Sequence, residues 1–133
     1  MKNEWSSKWV SSKQPRKQRK YRHNAPLHIR RKFLSAHLSP VLRKRHSKRS
    51  FPVRKGDEVL VMTGSMKGRK GIIERVSVRE SKVYIENIKA KKADGSEVLK
   101  PIQPSNLMIT ALKVEDKMRG RALERAAPRE EKK

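Results

Sequence analysis

Within its first 50 residues the chain sets 16 lysines and arginines against a single acid, Glu4. Like charges at that density repel one another, so this part cannot collapse on itself unaided. The excess continues more weakly beyond it: residues 51–116 carry 13 basic and 9 acidic groups, residues 117–133 carry 7 and 3, and the whole chain has a net charge of +23. Apolar residues number 14 in the first 50 positions and 26 in the next 66, so the hydrophobic core is expected in the middle segment. That core must be small, because apolar residues reach only 34% overall, against roughly 45–50% (Gly included) in an average soluble domain. The organisation expected is a basic arm (1–23), two short basic helices (24–50), a small β domain (51–116) and a basic tail (117–133).

The longest apolar run, Val59-Leu60-Val61-Met62, falls far short of the ~20 residues of a membrane-spanning helix. The N-terminal MKNEWSSKWVSSKQ has no apolar stretch of the ~7–15 residues that a secretion signal contains. There is no cysteine to staple an extracellular fold. An intracellular protein without a membrane partner is expected.

The arm KQPRKQRKYRH (13–23) has one aromatic and no apolar side chain, so it buries nothing that offsets the entropy of ordering. It is expected to be disordered until a partner neutralises it. Asn24-Ala25-Pro26 then combines a capping residue with a proline suited to a first helical turn, and Leu27, Leu34 and Leu38 follow at helical spacing. Ser39-Pro40 repeats the signal before VLRKRHSKR. These patterns predict two short helices joined at Ser39.

From Phe51 onward the period changes. Val59 and Val61 alternate with Glu58, Leu60 and Met62, as in a short strand covered partly on both faces. A loop follows with three glycines, Gly64, Gly68 and Gly71, in eight positions. Residues 71–78 and 81–87 read as strands around a tight turn at Arg79-Glu80. Asp94-Gly95 marks a hairpin turn before a strand over 97–102, and 107–112 is the last strand. Five short strands at this spacing predict a mainly β fold, a small and strongly bent barrel. Residues 118–127 suit a helix whose polarity favours a frayed or partner-bound state.

A positive excess of this size is expected chiefly where a polyanion neutralises it, and nucleic acid is the polyanion expected here. Candidate contacts in the arm are Lys13, Arg16, Lys17, Arg19, Lys20, Arg22 and His23. Tyr21 among them either stacks on a base or packs on the domain. The helical segment adds Arg30, Arg31, Arg43, Lys44, Arg45, Lys48 and Arg49, and the start of the β domain adds Arg54 and Lys55. The glycine loop is not a nucleotide P-loop, because only three residues separate Gly64 from Gly68, Arg69-Lys70 follows, and no hydroxyl residue comes next. Its glycines instead permit close backbone approach in a hairpin-like loop, with Lys67, Arg69 and Lys70 placed to meet phosphates; the alternative is a purely structural turn.

Catalysis has little support. All four histidines, His23, His28, His37 and His46, lie in the basic arm and helices, and the last three are nine residues apart, whereas helical metal ligands need i,i+3 or i,i+4 spacing. Asp57 and Glu58 are adjacent, so on a strand they point to opposite faces. No active site, metal, cofactor or small-molecule substrate is expected. Trp5 and Trp9 either anchor the N-terminus to a neighbour or lie idle.

Residues 53–73 resemble the KOW motif, K-G-D-x-V-x-V, a glycine, then K-G-x-x-G and an apolar residue, with every glycine of the pattern present. The flanks narrow the resemblance. SKQPRKQRK (12–20), NAPLHIRRK (24–32), LSPVLRKRH (38–46), KKADGSEV (91–98) and PIQPSNLMI (101–109) are similar to the large-subunit ribosomal proteins of the universal L-twenty-four family, in its archaeal and eukaryotic form. The resemblance covers residues 12–116 and departs at Gln103, where a histidine is expected. It implies an SH3-like barrel that docks on the 5′ domain of large-subunit ribosomal RNA, acts early in subunit assembly and lies near the polypeptide exit tunnel. It also implies a cytoplasmic ribosomal location, neighbouring large-subunit proteins as partners, and a single copy per ribosome. The family's RNA-contacting loop carries over to Thr63, Ser65, Lys67, Arg69 and Lys70, with Gly64 shaping it. A transcription elongation factor shares the motif but requires a separate polymerase-binding domain, for which residues 1–50 are too basic and too poor in apolar side chains. A DNA-packaging protein explains the charge and not the strands with their glycine loop.

Overall fold

In the computed structural model of the chain, the described residues are 5, 6, 8 and 12–125. Among these residues four α-helices, α1 (Pro15–Asn24), α2 (Leu27–Phe33), α3 (Pro40–His46) and α4 (Lys117–Glu124), accompany eight strands. The strands are β1 (Ser35–Leu38), β2 (Ser50–Pro52), β3 (Glu58–Val61), β4 (Lys70–Ser77), β5 (Lys82–Ile85), β6 (Lys89–Lys91), β7 (Glu97–Leu99) and β8 (Leu107–Ala111). Six form one sheet in the order β2-β1-β8-β3-β4-β5, and β6 and β7 form a separate hairpin.

The expected strand at 58–61 is β3, with Val59 and Val61 buried and Leu60 half-buried, as the alternation requires. The Asp94-Gly95 turn closes β6 against β7: Gly95 takes φ +83°, and Ser96 N–H donates to Asp94 Oδ1 at 2.9 Å.

The first half departs from expectation. The helix predicted to run from Leu27 through Leu38 stops at Phe33, and the leucines split. Leu27 is 64% exposed, while Leu34, just before β1, and Ala36 and Leu38, on it, are buried at two-residue spacing. A period of two cannot be satisfied on a helix. Instead β1 pairs antiparallel with β2 (Ala36 opposite Phe51) and parallel with β8 (Leu38 opposite Ile109). The core therefore extends beyond the middle segment: Leu34, Ala36 and Leu38 pack with Val59, Val61, Ile73, Ile85, Leu107 and Ile109.

The arm expected to be disordered is the helix α1 at 15–24. A ten-residue helix is marginal alone, and this one is tied down at its end. Arg30 donates from Nε to Ala25 O at 2.9 Å, from Nη2 to His23 O, and from Nη1 to Arg79 O at 2.9 Å, which pins the end of α1 to the β4–β5 turn. Tyr21 also stacks on Trp5 (centroids 5.2 Å) and Phe33 (6.2 Å). Trp9 lies outside the described residues.

Helix α4 starts one residue before the expected 118, is described to Glu124, and docks by one side chain in particular. Arg119 reaches back 62 residues to Asp57, with Nη1 to Oδ1 at 2.8 Å and Nη2 to Oδ2 at 2.6 Å, the carboxylate being fully buried. Asp57 also accepts from Arg54 N at 2.9 Å and Lys113 N at 3.1 Å, so four donors surround it. Arg119 Nη1 and Nη2 donate further to Lys113 O (3.0 Å) and Pro52 O (3.3 Å), with the guanidinium 5.4 Å from the Phe51 ring centroid. The adjacent Asp57 and Glu58 do diverge as the pleat demands: Glu58 is exposed.

Removing one partner of a buried pair strands the other. Asp57→Ala is therefore expected to cost about 3–5 kcal/mol, read as a lower urea midpoint, with loss of amide-exchange protection over 117–124. Retained protection there would show that α4 docks without the pair.

Candidate nucleic-acid interface

The glycine loop is the turn of the β3–β4 hairpin. Leu60 pairs with Lys70, Val61 N donates to Arg69 O at 2.9 Å, and Gly68 N to Val61 O at 2.8 Å, so residues 62–69 project from the sheet. Met66 folds inward against the core and anchors the tip, which leaves Thr63, Gly64, Ser65, Lys67, Arg69 and Lys70 exposed. The three glycines serve different needs. Gly64 and Gly68 adopt φ +87° and +85° with open space where a Cβ would stand, so they supply left-handed backbone rather than the close approach expected. Close approach occurs only at Gly71, where a Cβ would lie 2.6 Å from Ile85 Cγ2 and 3.1 Å from Glu86 O.

The candidate cations divide into two sets. Arg16, Lys17, Arg19, Lys20 and Arg22 stand exposed on α1, with Lys13 just before it; Arg31, on α2, and Lys44 and Arg45, on α3, are exposed too, as are Arg49 and Lys55. Others brace the fold. Arg30 is the clamp described above; Arg43 Nε donates to Leu38 O at 2.9 Å; Lys48 Nζ donates to Ala122 O and lies 5.3 Å from the Phe51 centroid. Arg54 pairs with Asp116 at 2.6 Å, and the bond holds that carboxyl below its usual range; Asp116 also caps α4 through Met118 N at 2.8 Å. Tyr21 packs inward, and His23 shares a 3.0 Å hydrogen bond with Asn24. Residues missed in the sequence are Arg79, Lys82 and Lys100; Lys100 Nζ donates to Ser65 Oγ at 2.9 Å across 35 residues, which nothing local signals.

His37 and His46 are held below the ordinary imidazole value of 6.5, first by burial, then by Arg43 and Arg49 beside His37 and by Arg45 and Lys48 beside His46. Among the described residues no cluster of three or more potential ligands is placed to hold a metal ion, and no helix is long and apolar enough to cross a membrane.

A family described as ribosomal proteins, L26 in eukaryotes and the L24 type in archaea, matches residues 12–126. The chain is 46% identical over 114 residues to the large ribosomal subunit protein uL24 of Methanosarcina barkeri, covering 86% of this chain and 98% of that one. It is 46% identical over 115 residues to the uL24 of Methanocorpusculum labreanum (86% and 95% covered) and 45% over 114 to that of Methanosphaera stadtmanae (86% and 97%). These matches put the chain in the class of ribosomal proteins, structural rather than catalytic. It belongs to the family that joins the eukaryotic L26 and archaeal L24 ribosomal proteins.

Two outcomes test this surface. Gly64→Val puts a β-branched residue at positive φ and is expected to cost about 1–2 kcal/mol and to weaken RNA binding, while Gly64→Asn is tolerated; RNA affinity unchanged in the valine variant would remove the loop from the interface. A histidine with a depressed folded pKa contributes fully above its unfolded value and loses that contribution as pH falls below it. Acidification below 6.5 therefore destabilises the free protein through His37 and His46. Phosphates beside the neighbouring cations reverse the repulsion, so NMR titration should show both histidines shifting upward on addition of RNA.

Proposed function

We propose that this protein is a structural constituent of the large ribosomal subunit that binds large-subunit ribosomal RNA through its exposed cations. One observation carries the reading: among the described residues, Arg54 alone of all the candidate cations is paired with a carboxylate. A folded surface with its positive charge left unpaired is stabilised by a polyanion, and binding releases the polyanion's condensed counterions. The relatives are named as large ribosomal subunit proteins, which supports the large subunit as the setting; we take its ribosomal RNA as the polyanion. A chain with few aromatics suits folded RNA, read through phosphates, 2′-hydroxyls and shape.

The finer reading follows the family resemblance: docking on the 5′ domain of the RNA, early in assembly, close to the exit tunnel and its neighbouring proteins, as one copy in a cytoplasmic ribosome. We assign the β domain at 51–116 as the docking body, shaped as an SH3-like barrel. Supporting that shape are the register shifts at Glu58/Val59 and Ile73/Arg75, which bend the sheet, and the bridge from Val83 to Ile102 beyond its β5 edge. The arm at 1–23, the helical segment at 24–50 and the tail at 117–133 extend its reach.

Ultraviolet crosslinking in the protein's own cells tests the setting: crosslinks are expected at a few sites in the 5′ part of large-subunit ribosomal RNA. Crosslinks scattered along nascent transcripts would point to an elongation factor, and a near absence of RNA to DNA. In vitro, replacing Arg16, Lys17, Arg19 and Lys20 together with Ala preserves helix propensity and should reduce the slope of log K against log salt by about 3 if each meets a phosphate. An unchanged slope would take α1 off the RNA.

A further inference from the structure

Two cavities on the molecule meet. One, about 340 Å³, opens between α1 and the β4–β5 turn, with Arg19, Arg22, Arg79, Lys82 and Gln103 on its walls. The other, about 390 Å³, lies between residues 61–66 of the glycine loop and the segment 100–106, and it shares Lys82 and Gln103 with the first. The two basins adjoin at these side chains and together trace a line from the arm helix to the glycine loop, here called the groove.

The groove gathers cations from separate parts of the chain: Arg19 and Arg22 from α1, Arg79 from the β4–β5 turn, Lys82 from β5 and Lys100 from beyond β7. Among the described residues none of them is ion-paired. The one carboxylate on these walls, Glu80, already accepts the Tyr84 hydroxyl at 3.0 Å. Like charges do not converge unaided. Arg30 draws the walls together by bonding carbonyls at the end of α1 and Arg79 O across the groove. The fold thus holds an uncompensated cationic groove in place with hydrogen bonds to neutral carbonyls, an arrangement that a bound polyanion stabilises.

Size selects the form of that polyanion. Basins of 340 and 390 Å³ match small-molecule sites, about the scale of a nucleotide, and neither has the volume to enclose a duplex. A single strand tracks such a positive groove with its phosphates. Ser35, Ser81, Ser105 and Gln103 add neutral hydrogen-bonding groups suited to 2′-hydroxyls and base edges. We infer that the groove binds an unpaired RNA strand running between α1 and the glycine loop, with Arg79, Lys82 and Lys100 on its phosphates. The inference rests on the RNA-binding reading above and narrows it, at this face, from an RNA surface to an exposed strand.

The test uses the full chain, fluorescence anisotropy, an oligouridine of roughly 12 nucleotides, within the ~4–16 that such sites cover, and an RNA duplex of similar length. Arg79→Ala with Lys82→Ala is expected to weaken oligouridine binding on the order of tenfold at about 0.15 M salt and to reduce the salt slope by about 1.4, at ~0.7 per contact. Duplex affinity should stay within twofold. Gln103→Glu places a negative charge on an exposed residue where the basins meet, without touching the core, and should weaken oligouridine binding where Gln103→Ala does not. It keeps the test open should the double variant unfold. Oligouridine binding unchanged in the folded variants would remove the strand from this groove and leave RNA binding intact. Equal loss on duplex and single strand would reduce the groove to a general positive field and overturn the assignment. Failure of the unaltered protein to bind either RNA would sink the RNA-binding reading itself, and this inference with it.

Discussion

The buried ion pair between Asp57 and Arg119 ties α4 to the β domain, alongside Leu123 in the core and the bonds of Lys48 to Ala122 O and of Arg54 to Asp116. Asp57 immediately precedes β3, Arg119 lies on a helix 62 residues later, and Arg54 N and Lys113 N, from the segments before β3 and after β8, bond the same carboxylate. Arg119 passes the connection to β2 through Pro52 O and the Phe51 ring. Both desolvated charges are matched by several hydrogen bonds, the condition under which a buried pair is tolerated. Asp57, the aspartate of the K-G-D-x-V-x-V pattern, is thereby a structural residue.

The scarcity of acids shapes the rest. With 36 basic and 13 acidic side chains, most cations have no carboxylate to meet, and several turn to backbone carbonyls. Arg30 bonds the end of α1 and the β4–β5 turn, Arg43 bonds Leu38 O, Lys48 bonds Ala122 O, and Arg119 bonds Lys113 O and Pro52 O. Charge-assisted bonds to carbonyls are stronger than neutral ones. They brace the junctions between elements while the unbraced cations stay on the surface. One composition therefore supplies both a scaffold and an interface.

That division explains which site residues were legible in the chain. Lys67, Arg69 and Lys70 are set by a hairpin whose strands and glycines are local signals, and the structure leaves all three exposed. Arg30, Lys48 and Arg54 look the same in sequence as Arg31, Lys44 and Lys55, yet each of the former is bonded to something 49 or more residues away. Arg79, Lys82 and Lys100 were illegible for the same reason in reverse: they join the groove only because remote segments fold against them. Elements followed the same logic. β3 and the β6–β7 hairpin show in their alternation and turn residues, while β1 was hidden because Leu34 and Leu38 fit a helical spacing as well as a strand spacing, and β8 decided between them.

The sequence by itself determined the charge, the small core, the glycine loop at a hairpin and the family resemblance, because each is written in residue identity and short-range spacing. The tertiary structure alone decided that α1 is a docked helix, that β1 is a strand, that α4 closes on a buried aspartate, and which cations are braces and which face outward. Those outcomes depend on partners dozens of residues away. A guanidinium is equally suited to a carbonyl, a carboxylate or a phosphate until the fold sets one of them within reach.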